Sequence, residues 1–172
     1  FLLLHLASPS LALPKNRTCA LLHNLHKIIY RLGILDVEIK LLDLGETPTI
    51  VTLFTGANDI IAGASPARFE LDLAAILNHL RKIDGLEIYI ADLPDITQLP
   101  RFKDNPDSDV TSARVTEFNR IIYKQAQVVN AQVVALSIDA PNDALISDDG
   151  LHPNNDGYAR MAELFLQEIL PR

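Results

Sequence analysis

Two short stretches of this 172-residue chain carry residue types able to do acid–base and nucleophile-assisting chemistry. The first is Asp148-Asp149-Gly150-Leu151-His152-Pro153-Asn154, which sets a carboxylate three residues ahead of a histidine. A histidine takes and returns a proton near neutral pH, and a nearby carboxylate fixes its tautomer and stabilises its cation. Those are the tasks of the last two members of a serine hydrolase triad. Asp-x-x-His is common by itself, so it gains meaning only from company. The second stretch, Thr55-Gly56-Ala57-Asn58-Asp59, directly follows an apolar run. The amide of Asn58 can donate a hydrogen bond to a developing oxyanion, a contact worth roughly 3 to 4 kcal/mol to a transition state. The small residues Gly56 and Ala57 would let the backbone approach a substrate closely. Gly, Asn and Asp are also ordinary turn residues, and taken alone this stretch reads first as a turn.

The elements that would position these residues alternate along the chain. Residues 2–7 read as a strand, broken by Ser8-Pro9-Ser10. From about Thr18 the pattern is helical, with Leu21, Leu25, Ile28, Ile29 and Leu32 on one face and Gly33 placed to end the helix. A shorter amphipathic stretch covers 35–43. Residues 49–54 are β-branched or apolar without charge, as suits a central strand buried on both faces. Ser65-Pro66 is a helix start, with Ser65 as N-cap and Pro66 at the first helical position, and Phe69, Leu73, Ile76, Leu77 and Leu80 make that helix's core stripe. Residues 86–91 read as a strand, and a long loop runs to about 109. A helix over 110–130 turns Phe118, Ile121, Ile122, Ala126 and Val129 inward, residues 132–138 read as the last strand, and the final helix carries Tyr158, Met161, Ala162, Phe165, Leu166 and Ile169 on one face. This alternation predicts one α/β domain over residues 1–172, with a parallel sheet covered by helices on both faces. Sites in such sheets lie at the carboxyl ends of the strands. Ser10, Asn58 and the Asp149–His152 loop each follow a predicted strand, so all three are expected at one edge.

Composition narrows the function. A formal net charge of −7 argues against a nucleic-acid partner, which needs a basic face. No apolar run approaches the roughly 20 residues that span a bilayer, so no stable membrane insertion is expected. The opening Phe1-Leu2-Leu3-Leu4-His5-Leu6-Ala7 fits a buried strand better than the tail of a signal peptide, because no basic n-region precedes it. The single cysteine, Cys19, allows no internal disulfide and leaves the compartment open. Residues 104–109 lack the glycine and the downstream glutamate of a calcium loop. His23 and His26 have no carboxylate or cysteine cluster beside them, so no metal site is expected. Oligomeric state is open.

The two stretches together carry a resemblance. Thr55-Gly56-Ala57-Asn58-Asp59 is similar to the G-x-N-D block of the SGNH hydrolases, the GDSL-type esterases and lipases. Asp149-Gly150-Leu151-His152-Pro153-Asn154, with Gly157-Tyr158 and Met161-Ala162, resembles their D-x-x-H-P block and closing helix. Ala91-Asp92-Leu93-Pro94 and Phe118-Asn119 fall where the family has a strand ending in a proline loop and a substrate-side helix. The resemblance covers about 48–170. It implies a flavodoxin-like three-layer α/β/α sandwich, and ester hydrolysis through an acyl-enzyme without metal or cofactor, on a small-molecule ester. By it, Asn58 is the oxyanion donor, His152 the base and later the acid, and Asp149 its orienting carboxylate. The first part of the chain departs from the pattern, since no Gly-Asp-Ser is present. Ser10, in Ser8-Pro9-Ser10-Leu11-Ala12, stands where that block would follow the first strand; Ser8, Thr18 and Cys19 are the other nucleophile candidates before Asn58. Gly33 is the nearest candidate for the family's glycine N–H in the oxyanion hole, although a helix-ending role explains it more simply. The rival expectation is a non-catalytic member that keeps the pocket and binds an acyl or glycan ligand without turnover. A flavodoxin-like nucleotide binder is disfavoured, because no Gly-rich phosphate loop follows any strand.

Overall fold

The apolar run after Pro48 becomes the middle of a five-stranded sheet. The computed structural model describes residues 2–7, 28–30, 49–138 and 142–170. Its strands are β1 (Leu2–Ala7), β2 (Ile28–Tyr30), β3 (Ile50–Phe54), β4 (Glu87–Ala91) and β5 (Gln132–Val134), in the order β2-β1-β3-β4-β5. β3, β4 and β5 are parallel neighbours. The helices are α1 (Ala57–Ile61), α2 (Pro66–Leu80), α3 (Pro100–Lys103), α4 (Ser112–Val129) and α5 (Asn155–Ile169).

The two-residue period of a strand sends alternate side chains to opposite faces. Val51, Leu53, Ile88 and Ile90 join Phe69, Leu73 and Leu77 of α2 and Phe118, Ile121 and Ile122 of α4 in one core. Within it the Phe69 and Phe118 rings stack with centroids 4.4 Å apart. On the other face Tyr89, Ala91 and Val134 meet Phe165 of α5. The result is the three-layer α/β/α sandwich, with α2 and α4 on one side and α5 on the other. The helix starts follow from capping. Ser65 Oγ accepts the Arg68 N–H at 3.2 Å with Pro66 in the first turn, and Thr111 Oγ1 accepts the Arg114 N–H at 3.3 Å.

Three local expectations are corrected. Residues 28–30 are a strand, not the end of a helix, because Ile28-Ile29-Tyr30 pairs antiparallel with β1; β-branched and aromatic residues suit a pleated ladder as well as a helix face. The last strand stops at Val134, and residues 136–138 form a 3₁₀ turn. The cause is Asp92, whose carboxylate takes the Ser137 N–H at 2.8 Å out of any ladder. The loop after β4 is not irregular throughout, since it contains a 3₁₀ turn at Ile96–Gln98 and α3.

A fourth difference bears on the site. β1 runs antiparallel to β3, with Leu3 opposite Phe54 and Ala7 opposite Ile50. It therefore leaves the sheet at the edge opposite the one where β3 delivers Asn58. The expectation that strand direction brings Ser10 to Asn58 is not met by this pairing. Ser10 itself, like Gly33, Thr18, Cys19, His23 and His26, lies outside the described residues.

Candidate active site

The carboxyl end of β3 turns through Gly56 into α1. Gly56 has φ 111, a conformation open to glycine and costly to other residues. A Cβ there would lie 3.1 Å from Phe69 Cζ and 3.2 Å from Leu93 Cδ1, so the core already fills the space beside this glycine. Ala57 also packs against that core. Asn58 follows on the first turn of α1 and is half-buried. Its side-chain amide makes no hydrogen bond among the described residues. Asp59, beside it, has its carboxyl pushed up, foremost by burial. Arg114 holds the turn after α1 by donating from Nη2 to the Ala64 carbonyl at 2.7 Å.

The end of β4 is tied down by two polar devices. Asp92, only 1% exposed, accepts from Tyr123 Oη at 3.0 Å and from the Ser137 N–H and Oγ at 2.8 and 2.5 Å. A buried carboxylate requires such partners, and here they join the ends of β4 and β5. The Leu93 peptide is clamped by Asn119, whose Oδ1 accepts its N–H at 2.7 Å and whose Nδ2 donates to its carbonyl at 2.8 Å. Asn119 thus fixes the residue against which Gly56 rests.

Asp149 and His152 occupy a loop closed on itself and docked on α3. The Ser147 N–H donates to the His152 carbonyl at 2.8 Å, and the Gly150 N–H donates to the Ser147 carbonyl at 2.9 Å. The Arg101 N–H donates to the Gly150 carbonyl at 3.0 Å. Asn154 fastens the loop to α5. Its Oδ1 accepts the Asp156 and Gly157 N–H groups as the N-cap, and its Nδ2 donates to the carbonyls of Ala144 and Ile146. Within this frame Asp149 Oδ2 meets His152 Nδ1 at 2.5 Å, while Oδ1 accepts the N–H groups of Leu151 and His152, each at 2.9 Å, and the Ser147 hydroxyl at 2.8 Å. Tyr158, in the first turns of α5, feels the same carboxylate: burial foremost and then the Asp149 charge push its hydroxyl up. Leu151, next to His152, packs against the same core as Ala57, next to Asn58.

The His152 ring, then the His152 and Leu151 N–H groups and the Ser147 hydroxyl, hold the Asp149 carboxyl well below its ordinary value of 3.8. A carboxyl depressed on folding adds stability that is present above its unfolded pKa and lost as pH falls through the folded one. The urea midpoint of wild type is expected to exceed that of Asp149→Ala at pH 6, with the gap closing as pH drops below about 4. A gap that stays constant down to the acid limit of folding contradicts these hydrogen bonds.

Sequence reasoning quoted Asp92, Asn119 and Asn154 within the family blocks but gave no role to any of them, and it did not name Ser147. Two signals were present. Asn119 is a polar residue beside Phe118 in a helix whose inward positions are otherwise apolar, and Asn154 directly precedes an amphipathic run as an N-cap does.

The three-layer sandwich, with Asp149 and His152 paired on a loop before the last helix, has a fold shared by solved structures. The fold is similar to that of an acetyl xylan esterase, with a TM-score of 0.57 and 19% identity over 74% of this chain and 70% of that one. It is likewise similar to that of a lipase/acylhydrolase from Enterococcus faecalis, with a TM-score of 0.55 and 21% identity over 71% of this chain and 61% of that one. The sequence places it more closely: residues 12–160 match the model of the GDSL-like Lipase/Acylhydrolase family, and the chain belongs to that family. The match includes Asn58, Asp149 and His152 and begins two residues after Ser10. No curated protein matches the chain. Membership supports ester hydrolysis as the general class of reaction, on small-molecule esters. Among the described residues, no helix is long and apolar enough to cross a membrane.

Proposed function

We propose that this chain, as one domain, is a serine-dependent esterase that works through an acyl-enzyme. His152 takes the proton of the attacking hydroxyl and returns it to the leaving alcohol. Asp149 holds the ring and stabilises its cation. Asn58, with backbone N–H groups that include the family glycine at Gly33, donates to the tetrahedral oxyanion. Gly56 and Ala57 carry Asn58 to the substrate. A water then attacks the acyl-enzyme with His152 again as base, and the acid product leaves. The observation that carries this reading is the 2.5 Å contact between Asp149 Oδ2 and His152 Nδ1, in a loop whose own amides hold the other carboxylate oxygen. The nucleophile assigned by order along the chain is Ser10.

A second reading, a non-catalytic member that binds an acyl or glycan ligand, has its own observations. Ser10 follows β1 by three residues, a reach of about 10 Å. β1 ends level with Ile50, and four residues of strand, roughly 13 Å, separate Ile50 from the end of β3. The family match also begins after Ser10.

Treatment with a fluorophosphonate, read by intact mass and peptide mapping, separates the two. A single adduct on Ser10 is the expected result. An adduct on another residue keeps the esterase reading and moves the nucleophile. Folded protein that takes no adduct overturns the hydrolytic reading in favour of ligand binding.

A further inference from the structure

We infer that Ser147 is a positioning residue for the Asp149–His152 pair, its hydroxyl pinning one carboxylate oxygen so that the other is presented to the imidazole. The inference rests on the reading of that pair as a base and its orienting carboxylate.

The two oxygens of Asp149 have divided partners. Oδ1 accepts three hydrogen bonds, from Ser147 Oγ, Leu151 N and His152 N, while Oδ2 faces His152 Nδ1. A carboxylate turns easily about its last torsion, which is broad and nearly two-fold. The two amides come from the chain after Asp149, and the hydroxyl comes from the chain before it. Donors contributed from both directions along the loop restrict that rotation more than the amides could alone.

The setting makes such a donor useful. The side chains of Asp149 and His152 are 48% and 37% exposed, so water competes for each carboxylate lone pair. Ser147 belongs to the same closed loop, and its backbone is already held at both ends by the His152 carbonyl and the Gly150 N–H. Little further ordering is needed to aim its hydroxyl, so this donor is present before any substrate arrives. The bland alternative is a local side-chain turn, in which a serine hydroxyl two residues before an aspartate simply stabilises the loop. That alternative moves the melting temperature and leaves the ring unaffected.

Both backbone bonds of Ser147 survive in Ser147→Ala, so this variant removes the hydroxyl and little else. The primary readout is the tautomer of His152, seen in long-range ¹H–¹⁵N correlation spectra of ¹⁵N-histidine protein at a pH where the ring is neutral. His152 is assigned by its loss in His152→Gln. Wild type is expected to hold the proton on Nδ1, the form that donates to Asp149. In Ser147→Ala the ratio of the Nδ1–H to the Nε2–H form is expected to fall at least about threefold, and Ser147→Thr, which keeps a hydroxyl, should restore it. For ester turnover, Ser147→Ala should lower kcat about threefold to tenfold at unchanged KM, the range that one exposed hydrogen bond corresponds to. A Ser147→Ala protein with the wild-type tautomer ratio overturns the inference, as does a Ser147→Thr protein that loses the ratio as fully as alanine. A wild-type ring protonated on Nε2 overturns the pairing and the inference together. The expected tautomer pattern in a wild type that turns over no ester supports the positioning role and removes only its catalytic purpose.

Discussion

Replacing His152 with alanine is expected to lower kcat/KM for an ester by about four to six orders of magnitude, the loss found when a triad base is removed from a serine hydrolase. In the proposed mechanism the imidazole accepts the hydroxyl proton, and without it the alkoxide would have to form unaided at neutral pH. The fold is expected to survive. His152 contributes to its loop mainly through backbone, its N–H donating to Asp149 Oδ1 and its carbonyl accepting from Ser147. The side chain adds the contact between Nδ1 and Asp149 Oδ2. Initial rates on p-nitrophenyl acetate, paired with a thermal melt of the same samples, make the test. A folded His152→Ala protein with undiminished kcat/KM refutes the assignment of His152 as the base.

Gly157→Ala is expected to be the most tightly opposed alanine substitution among the described glycines. Gly157 is buried in the first turn of α5. A Cβ there would lie 2.2 Å from the Leu145 carbonyl oxygen and 2.8 Å from Pro153 Cβ. The first contact is with backbone, which no side-chain rotation relieves. Leu145 also accepts the Asn154 N–H at 2.9 Å, so the helix start and the His152 loop would have to part. Overpacking of this kind costs about 2 to 4 kcal/mol, or roughly 5 to 15 °C of melting temperature for a domain of this size. The movement would also displace His152, five residues earlier, so activity is expected to fall more than a remote core substitution of equal cost would cause. A Gly157→Ala melt within 1 °C of wild type contradicts the close approach.

Much of the candidate site was legible because its contacts are local. Asp149 and His152 stand three residues apart, and the carboxylate reaches the ring within one turn of chain. Asn58 could be placed because an uncharged apolar run ends four residues before it. Helix starts were legible at Ser65-Pro66 for the same reason, since a cap bonds three residues ahead. Ser147 was missed although it too is local: a serine two residues before an aspartate is common, and nothing in residue type says where its hydroxyl points. The bonds made by Asp92 and Asn119 were missed for a different reason, although both residues stand in the blocks that carry the resemblance. Their partners, Ser137 and Leu93, lie 45 and 26 residues away, and pairing at that distance exists only once the sheet has formed.

By itself the sequence determined the alternation of strands and helices, the buried faces of α2, α4 and α5, the order of the Asn58 and Asp149–His152 stretches, and the family. These depend on patterns repeating every two to four residues, which hold wherever the chain ends up. The tertiary structure alone decided the direction of β1, the strand at residues 28–30 and the early end of β5. An apolar strand satisfies its hydrogen bonds in either direction, so hydropathy cannot choose between parallel and antiparallel pairing. Only the tertiary structure showed that Gly56 is required by Phe69 and Leu93, and Gly157 by the Leu145 carbonyl, since the space beside a glycine is set by what the fold packs against it.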